Sequence, residues 1–275
     1  MLVVVPEKYV TKHLFTLTIP LTLLSPSLMQ SIDTVVESLD KIITTSLERS
    51  NTLGYFPALY RRVTLEVKTA IEESRFDNAE RMEKLVIIFA GRYIDAYKNY
   101  INTKTCCRSW YIAFNNAQNP SLTVLQHLLL GMNAHISLDL GIAAAEAAKN
   151  DPLSIKSDFI LINKILGDKI NDTQSRLTRI FTPLGLIDRL LGSIDEKLSL
   201  FSISYARDKA WAQVLELSLA DESRKQQIID ERDQAVSDFA IHLIHPPKWY
   251  LHLLLSFVRL LEKGTIPSRI KILAQ

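Results

Sequence analysis

The stretch from Ser109 to Leu138 contains no Lys, Arg, Asp or Glu, and this constrains the fold more than any other feature of the chain. A segment of that length without charge belongs inside the protein, where polar groups must be hydrogen-bonded, paired or metal-bound. Yet it carries His127, Asn133 and His135, and Asp139 follows directly. The sequence His127-Leu-Leu-Leu-Gly131-Met132-Asn133-Ala134-His135-Ile-Ser-Leu-Asp139 therefore marks either a working centre or an unusually polar piece of core. Asn119-Pro120, read as an N-cap followed by Pro at the first helical position, opens a helix that runs to about Lys149.

The remainder also reads as helix. Apolar residues recur at helical spacing, as in Ile32, Val35, Val36, Leu39, Ile42 and Ile43, and no stretch sustains strand alternation. Further helices are expected over Met29–Leu47, Leu59–Ile71, from an Asp77 N-cap to about Tyr100, and around Cys107–Phe114. Beyond the motif they follow at Ile155–Phe181, Leu184–Leu191, Ser193–Leu219, from an Asp221 cap to Pro246, and at Trp249–Glu262. The expectation is an all-α, compact multi-helix domain packed around a central buried helix at about 120–149. It is read as one domain over 1–275, with halves 27–149 and 153–275 meeting at Asn150-Asp151-Pro152. Residues 1–26 read as an apolar N-terminal arm, because Pro20 and Pro26 break the charge-free run His13–Ile32 too often for a spanning helix or an export signal.

Composition excludes several classes. With 47% hydrophobic and 23% charged residues the chain is not of the disordered type. A net charge of +2, with scattered basic residues, gives no nucleic-acid footprint. The adjacent Cys106 and Cys107 cannot easily pair with each other, so they read as thiols in a reducing, cytoplasmic compartment. No P-loop, dinucleotide fingerprint, nucleophile elbow or His-Glu-x-x-His motif is present. Asn171-Asp172-Thr-Gln-Ser175 resembles the start of a terpene-synthase magnesium triad, but Arg179 stands where the last carboxylate belongs.

On a straight helix His135 and Asp139 lie one turn apart on one face, able to pair or to share an ion. His127 falls about 80° around and roughly 12 Å down the axis from His135. Asn133 points about 160° away, so either protein surrounds the helix or Gly131 breaks it. The candidate catalytic residues are His127, His135 and Asp139, with a divalent metal such as zinc held by His135, Asp139 and residues of other helices (Asp95, Asp158, Asp208, His242 or His245). Arg92, expected to pair with Asp95, and Tyr93, Asn133, Arg207 and Trp211 are candidate pocket residues, Arg207 being placed to stack on Trp211.

These residues carry a resemblance. Leu59-Tyr60-Arg61-Arg62-Val63-Thr64, Phe89-Ala90-Gly91-Arg92-Tyr93, the Gln126–Asp139 motif and Arg207-Asp208-Lys209-Ala210-Trp211 resemble an uncharacterised, mainly bacterial, all-helical domain-of-unknown-function family. The likeness runs from about Tyr60 to Leu219 and implies the helical fold and the site, with no activity to carry over. His135-x-x-x-Asp139 alone is similar to an element of the helical zinc-dependent phospholipase C and nuclease group.

Metal-assisted hydrolysis of a small-molecule substrate is the leading expectation. Two others remain open: a helical binding or assembly protein whose polar cluster only fixes packing, and a lipid- or isoprenoid-binding pocket.

Overall fold

The structure, a computed structural model, describes residues 31–149, 151–168, 170–181 and 203–275. The apolar arm over 1–26 and the helix expected at Leu184–Leu191 lie outside them. The described residues form helices and turns, with no strand among them. In chain order the helices are α1 (Ile32–Glu48), α2 (Tyr55–Glu72), α3 (Ala79–Thr103), α4 (Arg108–Asn115), α5 (Val124–Ala134), α6 (Leu140–Ala148), α7 (Lys156–Asp168), α8 (Ile170–Ile180), α9 (Ile203–Leu219), α10 (Glu222–Ile244), α11 (Trp249–Leu261) and α12 (Ile266–Ala274). A π-turn, His135–Asp139, joins α5 to α6. Together they make one rod, Val124–Ala148, that is long and apolar enough to cross a membrane, although 72% of its most apolar window is buried inside the protein.

The rod is the centre of the packing. α6 lies between α3 and α9, while α5 touches α2, α4 and α10. Small side chains explain the closeness on the α6 side. Ala143, Ala144, Ala147 and Ala148 meet Met82, Leu85 and Val86 of α3 and Ala210 and Val214 of α9 in one apolar cluster. Large rings fill the α5 side, where Phe56 and Tyr60 of α2, Tyr93 of α3, and Trp110 and Phe114 of α4 form a second cluster. Each such side chain contributes about 1.5–3 kcal/mol on leaving water.

Helix starts differ from the sequence reading, and the caps say why. The rod begins at Val124 rather than at Pro120. Asn119 spends its side chain on the Ser121 amide, 3.0 Å away, in a local turn. Thr123 and Gln126 then close a capping box, each side chain accepting the other's backbone N–H at 3.1 Å. For α3 the cap is Asn78, which accepts from the Arg81 amide at 2.9 Å. Asp77 instead donates its own N–H to the buried Asp158 carboxylate at 2.7 Å, with the Asn78 N–H beside it at 3.2 Å. Asp158 is thereby a clamp from α7 on the start of α3. The first turn of α4 is capped from α10, where Asp233 accepts from the Arg108 and Ser109 amides at 2.7 and 2.9 Å. Asp221 caps α10 as its position suggested, accepting from the Arg224 amide at 2.8 Å.

Gly131 lets a large ring reach the rod. A methyl group at this position would sit 2.6 Å from the Phe56 ring and 3.0 Å from its Cβ, and the near end of a buried side chain cannot swing away. Gly131→Ala is therefore expected to displace Phe56 and cost about 1–3 kcal/mol, read as a lower urea midpoint with unchanged helical circular dichroism.

Candidate functional site

The polar centre of the rod is built around Asp139, which is 1% exposed. A buried carboxylate must be matched on both oxygens. Oδ1 accepts from Arg92 Nε of α3 at 2.8 Å, and the guanidinium remains partly buried. Oδ2 accepts from the Trp110 indole N–H of α4 at 2.8 Å and lies 3.4 Å from His135 Nδ1. Burial pushes the Asp139 pKa up, but Arg92, His135 and Trp110 outweigh it and hold the carboxyl below its ordinary value. An ionised carboxylate only accepts, so His135 carries its proton on Nδ1. Nε2 then presents a lone pair, and it is buried without a hydrogen-bond partner.

Aromatic rings enclose that imidazole. Phe89 stacks on it with ring centres 3.6 Å apart and planes within 8°. Tyr60 meets it edge-on at 4.4 Å and Phe56 at 5.6 Å. Desolvation in this box lowers the His135 pKa, Asp139 opposing and Arg92 assisting, so the ring is neutral. Of the rings around it, Phe56, Tyr60, Tyr93 and Trp110 are buried, whereas Phe89 is partly exposed.

The π-turn shapes this geometry. The Leu140 N–H bonds back to the His135 carbonyl across five residues, widening the rod where His135 and Asp139 project. Such turns are rare and gather at functional sites. The Ser137 carbonyl within it accepts from Arg232 Nε of α10 at 2.9 Å.

The other expected site residues separate. Protein surrounds the rod, and no break occurs at Gly131: Asn133 points away from His135 and donates to the Val236 carbonyl of α10 at 2.9 Å. Gln126 does the same to Leu243 at 2.8 Å. Both are fasteners for α10. His127 does not join His135; it lines a separate cavity with Tyr55, Arg259, Glu262 and Arg269. Arg207 donates to the Asn163 carbonyl of α7 at 2.8 Å, burial lowering its pKa to about 10. Trp211 packs on Phe159 rather than under Arg207, and neither meets the Asp139 cluster through a hydrogen bond or ring contact. Tyr93 does belong there, packed against Phe56 and Trp110 and 6.3 Å from the His135 ring.

A divalent metal at His135 and Asp139 does not fit these partners. Both Asp139 oxygens are engaged, Arg92 supplies positive charge where a cation would sit, and no third ligand converges among the described residues. Asp158 is occupied by the start of α3. His242 uses Nδ1 on its own helix, 2.8 Å from the Asp238 carbonyl. Cys106 and Cys107 are free, half-buried thiols at the start of α4, and burial pushes Cys106 up to about 12.

Sequence reasoning missed Trp110, Phe89 and Tyr55. The first carried a signal, since an indole N–H inside a charge-free run needs an acceptor. The model of a family of unknown function (DUF5995) matches residues 32–246. No curated protein and no solved structure matches the chain.

Two outcomes follow from this electrostatics. Asp139→Asn removes the charge that balances the Arg92 guanidinium and leaves one oxygen to serve both Arg92 and Trp110, and is expected to cost about 3–5 kcal/mol, measured by urea unfolding. Burial, with Arg259 assisting, also depresses His127, to about 4. With both histidine pKa values lowered, the unfolded chain binds protons below about pH 6.5 that the folded chain does not. Their contribution is complete above that pH and declines as pH falls towards 4. A urea midpoint that drops between pH 7 and 4.5, with a shallower drop in His127→Gln, is the expected record.

Proposed function

Because the chain belongs to the DUF5995 family of unknown function, which supplies no activity to transfer, we propose from the site alone that it is an acid–base enzyme of hydrolase type. Its substrate is a small molecule, and His135 is the base. The observation that carries this reading is the buried, unpartnered Nε2 of an imidazole whose other nitrogen is held by a carboxylate. That is the arrangement a general base requires: one nitrogen oriented, the other open to a proton.

In the proposed step, Nε2 takes a proton from a water molecule as its oxygen attacks the substrate. The imidazolium that forms is stabilised by Asp139, which Arg92 and Trp110 keep ionised and fixed. The proton then passes from Nε2 to the leaving group. Phe89, the one partly exposed ring around His135, is the side chain that must turn aside to admit substrate.

Turnover of p-nitrophenyl acetate and p-nitrophenyl phosphate by the purified chain tests the reading. Hydrolysis of at least one is expected, falling on the order of 100-fold or more in His135→Gln and rising in Phe89→Ala as the box opens. Turnover unchanged in His135→Gln would overturn it.

A second reading is favoured by the depth of the cluster, His135 being 2% and Asp139 1% exposed. Here the cluster is a packing lock between helices. It predicts that His135→Gln lowers the urea midpoint and changes no turnover.

A further inference from the structure

The cavity around His127 lies apart from the Asp139 cluster and shares no lining residue with it. It has a volume of about 230 Å³, room for roughly eight waters at liquid density, and is partly open to solvent. Its wall combines the start of the rod with α2, α11 and α12. Arg259, Glu262 and Arg269 lie beyond the residues that match the family, so the charged side of the wall belongs to the C-terminal part of the chain.

Three features point to a ligand. The Tyr55 hydroxyl is buried, on a residue 1% exposed, without a hydrogen bond of ordinary geometry; the Arg269 guanidinium beside it can only donate, so the hydroxyl proton has no acceptor. His127, 9% exposed, makes no hydrogen bond through its ring among the described residues and meets Tyr55 only ring to ring, at 5.8 Å. The charges are also unequal. The Glu262 carboxylate takes Arg259 at 3.1 Å and Arg269 at 3.4 Å, and its other oxygen accepts the Val124 amide at 2.6 Å. Two guanidiniums against one carboxylate leave a single positive charge, beside the positive end of the rod.

We propose that this cavity binds a small organic carboxylate, whose charge balances the spare guanidinium charge and whose oxygens accept from the Tyr55 hydroxyl and the His127 ring N–H. Neutral His127 adds a hydrogen bond and no second charge, which suits a monoanion over a phosphate dianion. Leu122 and Ile266 supply apolar wall for the body of such a ligand. The inference is independent of the activity proposed for His135.

Isothermal titration calorimetry of the full chain with pyruvate and benzoate tests it, with their methyl esters and inorganic phosphate as comparisons. At least one of the two acids is expected to bind, and the esters and phosphate at least tenfold more weakly. Tyr55→Phe, which removes only the hydroxyl whose proton lacks an acceptor, should weaken the acid about tenfold, the worth of one hydrogen bond. Arg259→Gln, at a partly exposed position, should do the same should Tyr55→Phe fail to fold. Binding of neither acid, equal binding of ester or phosphate, or undiminished binding in the folded variants would overturn the proposal.

Discussion

One buried negative charge organises this molecule. Taking a carboxylate out of water costs several kcal/mol even after the surroundings relax, so Asp139 dictates what must stand next to it. Arg92 has to come from α3 and the Trp110 indole from α4. Those two contacts fix the rotation and the depth of the rod against both helices. An apolar rod alone would fit its neighbours at several rotations with similar burial, since dispersion and hydrophobic contact have little direction. A charge that can be matched at only one rotation selects among them. The aromatic box follows from the same demand, because bringing the indole N–H to Oδ2 brings the whole ring, and Phe56, Tyr93 and Phe114 pack around it.

The opposite side of the rod is fastened by different means. α10 presents backbone carbonyls, and neutral amides reach them from Gln126 and Asn133. Arg232 runs the other way, from α10 to the carbonyl of Ser137 within the widened turn. Close approach on the α9 side depends on Gly141, where a methyl group would fall 2.4 Å from the Gln213 side chain and 2.9 Å from the Ala210 carbonyl. The devices therefore differ around the rod: a carboxylate reaches α3 and α4, two amides and the Arg232 guanidinium join it to α10, and small residues pack against α3 and α9.

Much of this was legible in the residues. Absence of charge over Ser109–Leu138 placed the rod in the interior, and 100° steps correctly put His135 with Asp139 and Asn133 on the far side. The partners were less legible, because they depend on helices brought together from distant sequence. Arg92 reads as a partner of Asp95 along its own helix or as a pocket residue, while its carboxylate lies 47 residues away. Asp158 looked like a spare ligand until the start of α3 was seen to occupy it. The helix start at Pro120 failed for a local reason: two capping signals stand four residues apart, and the reciprocal pair Thr123 and Gln126 prevails over a lone Asn-Pro. His127 stands at the limit of reach by the same geometry, roughly 12 Å along the axis from His135, and it lines a separate cavity instead.

The two buried histidines also show how similar desolvation leads to different chemistry. Each is neutral and each has ring nitrogen to spare, but His127 faces a cavity while His135 faces rings. For His135 the opening proposed above sets terms of similar size against each other. A permanently unpartnered nitrogen costs about 1–3 kcal/mol. Displacing the stacked Phe89 ring forfeits about 0.5–1.5 kcal/mol of ring–ring attraction, and its partial exposure limits the further loss of burial. A ligand that hydrogen-bonds to Nε2 can therefore offset the movement of Phe89. Nothing comparable would follow from moving Trp110, whose N–H would leave the Asp139 carboxylate one donor short. The box has one wall that is inexpensive to move, and it is the wall nearest solvent.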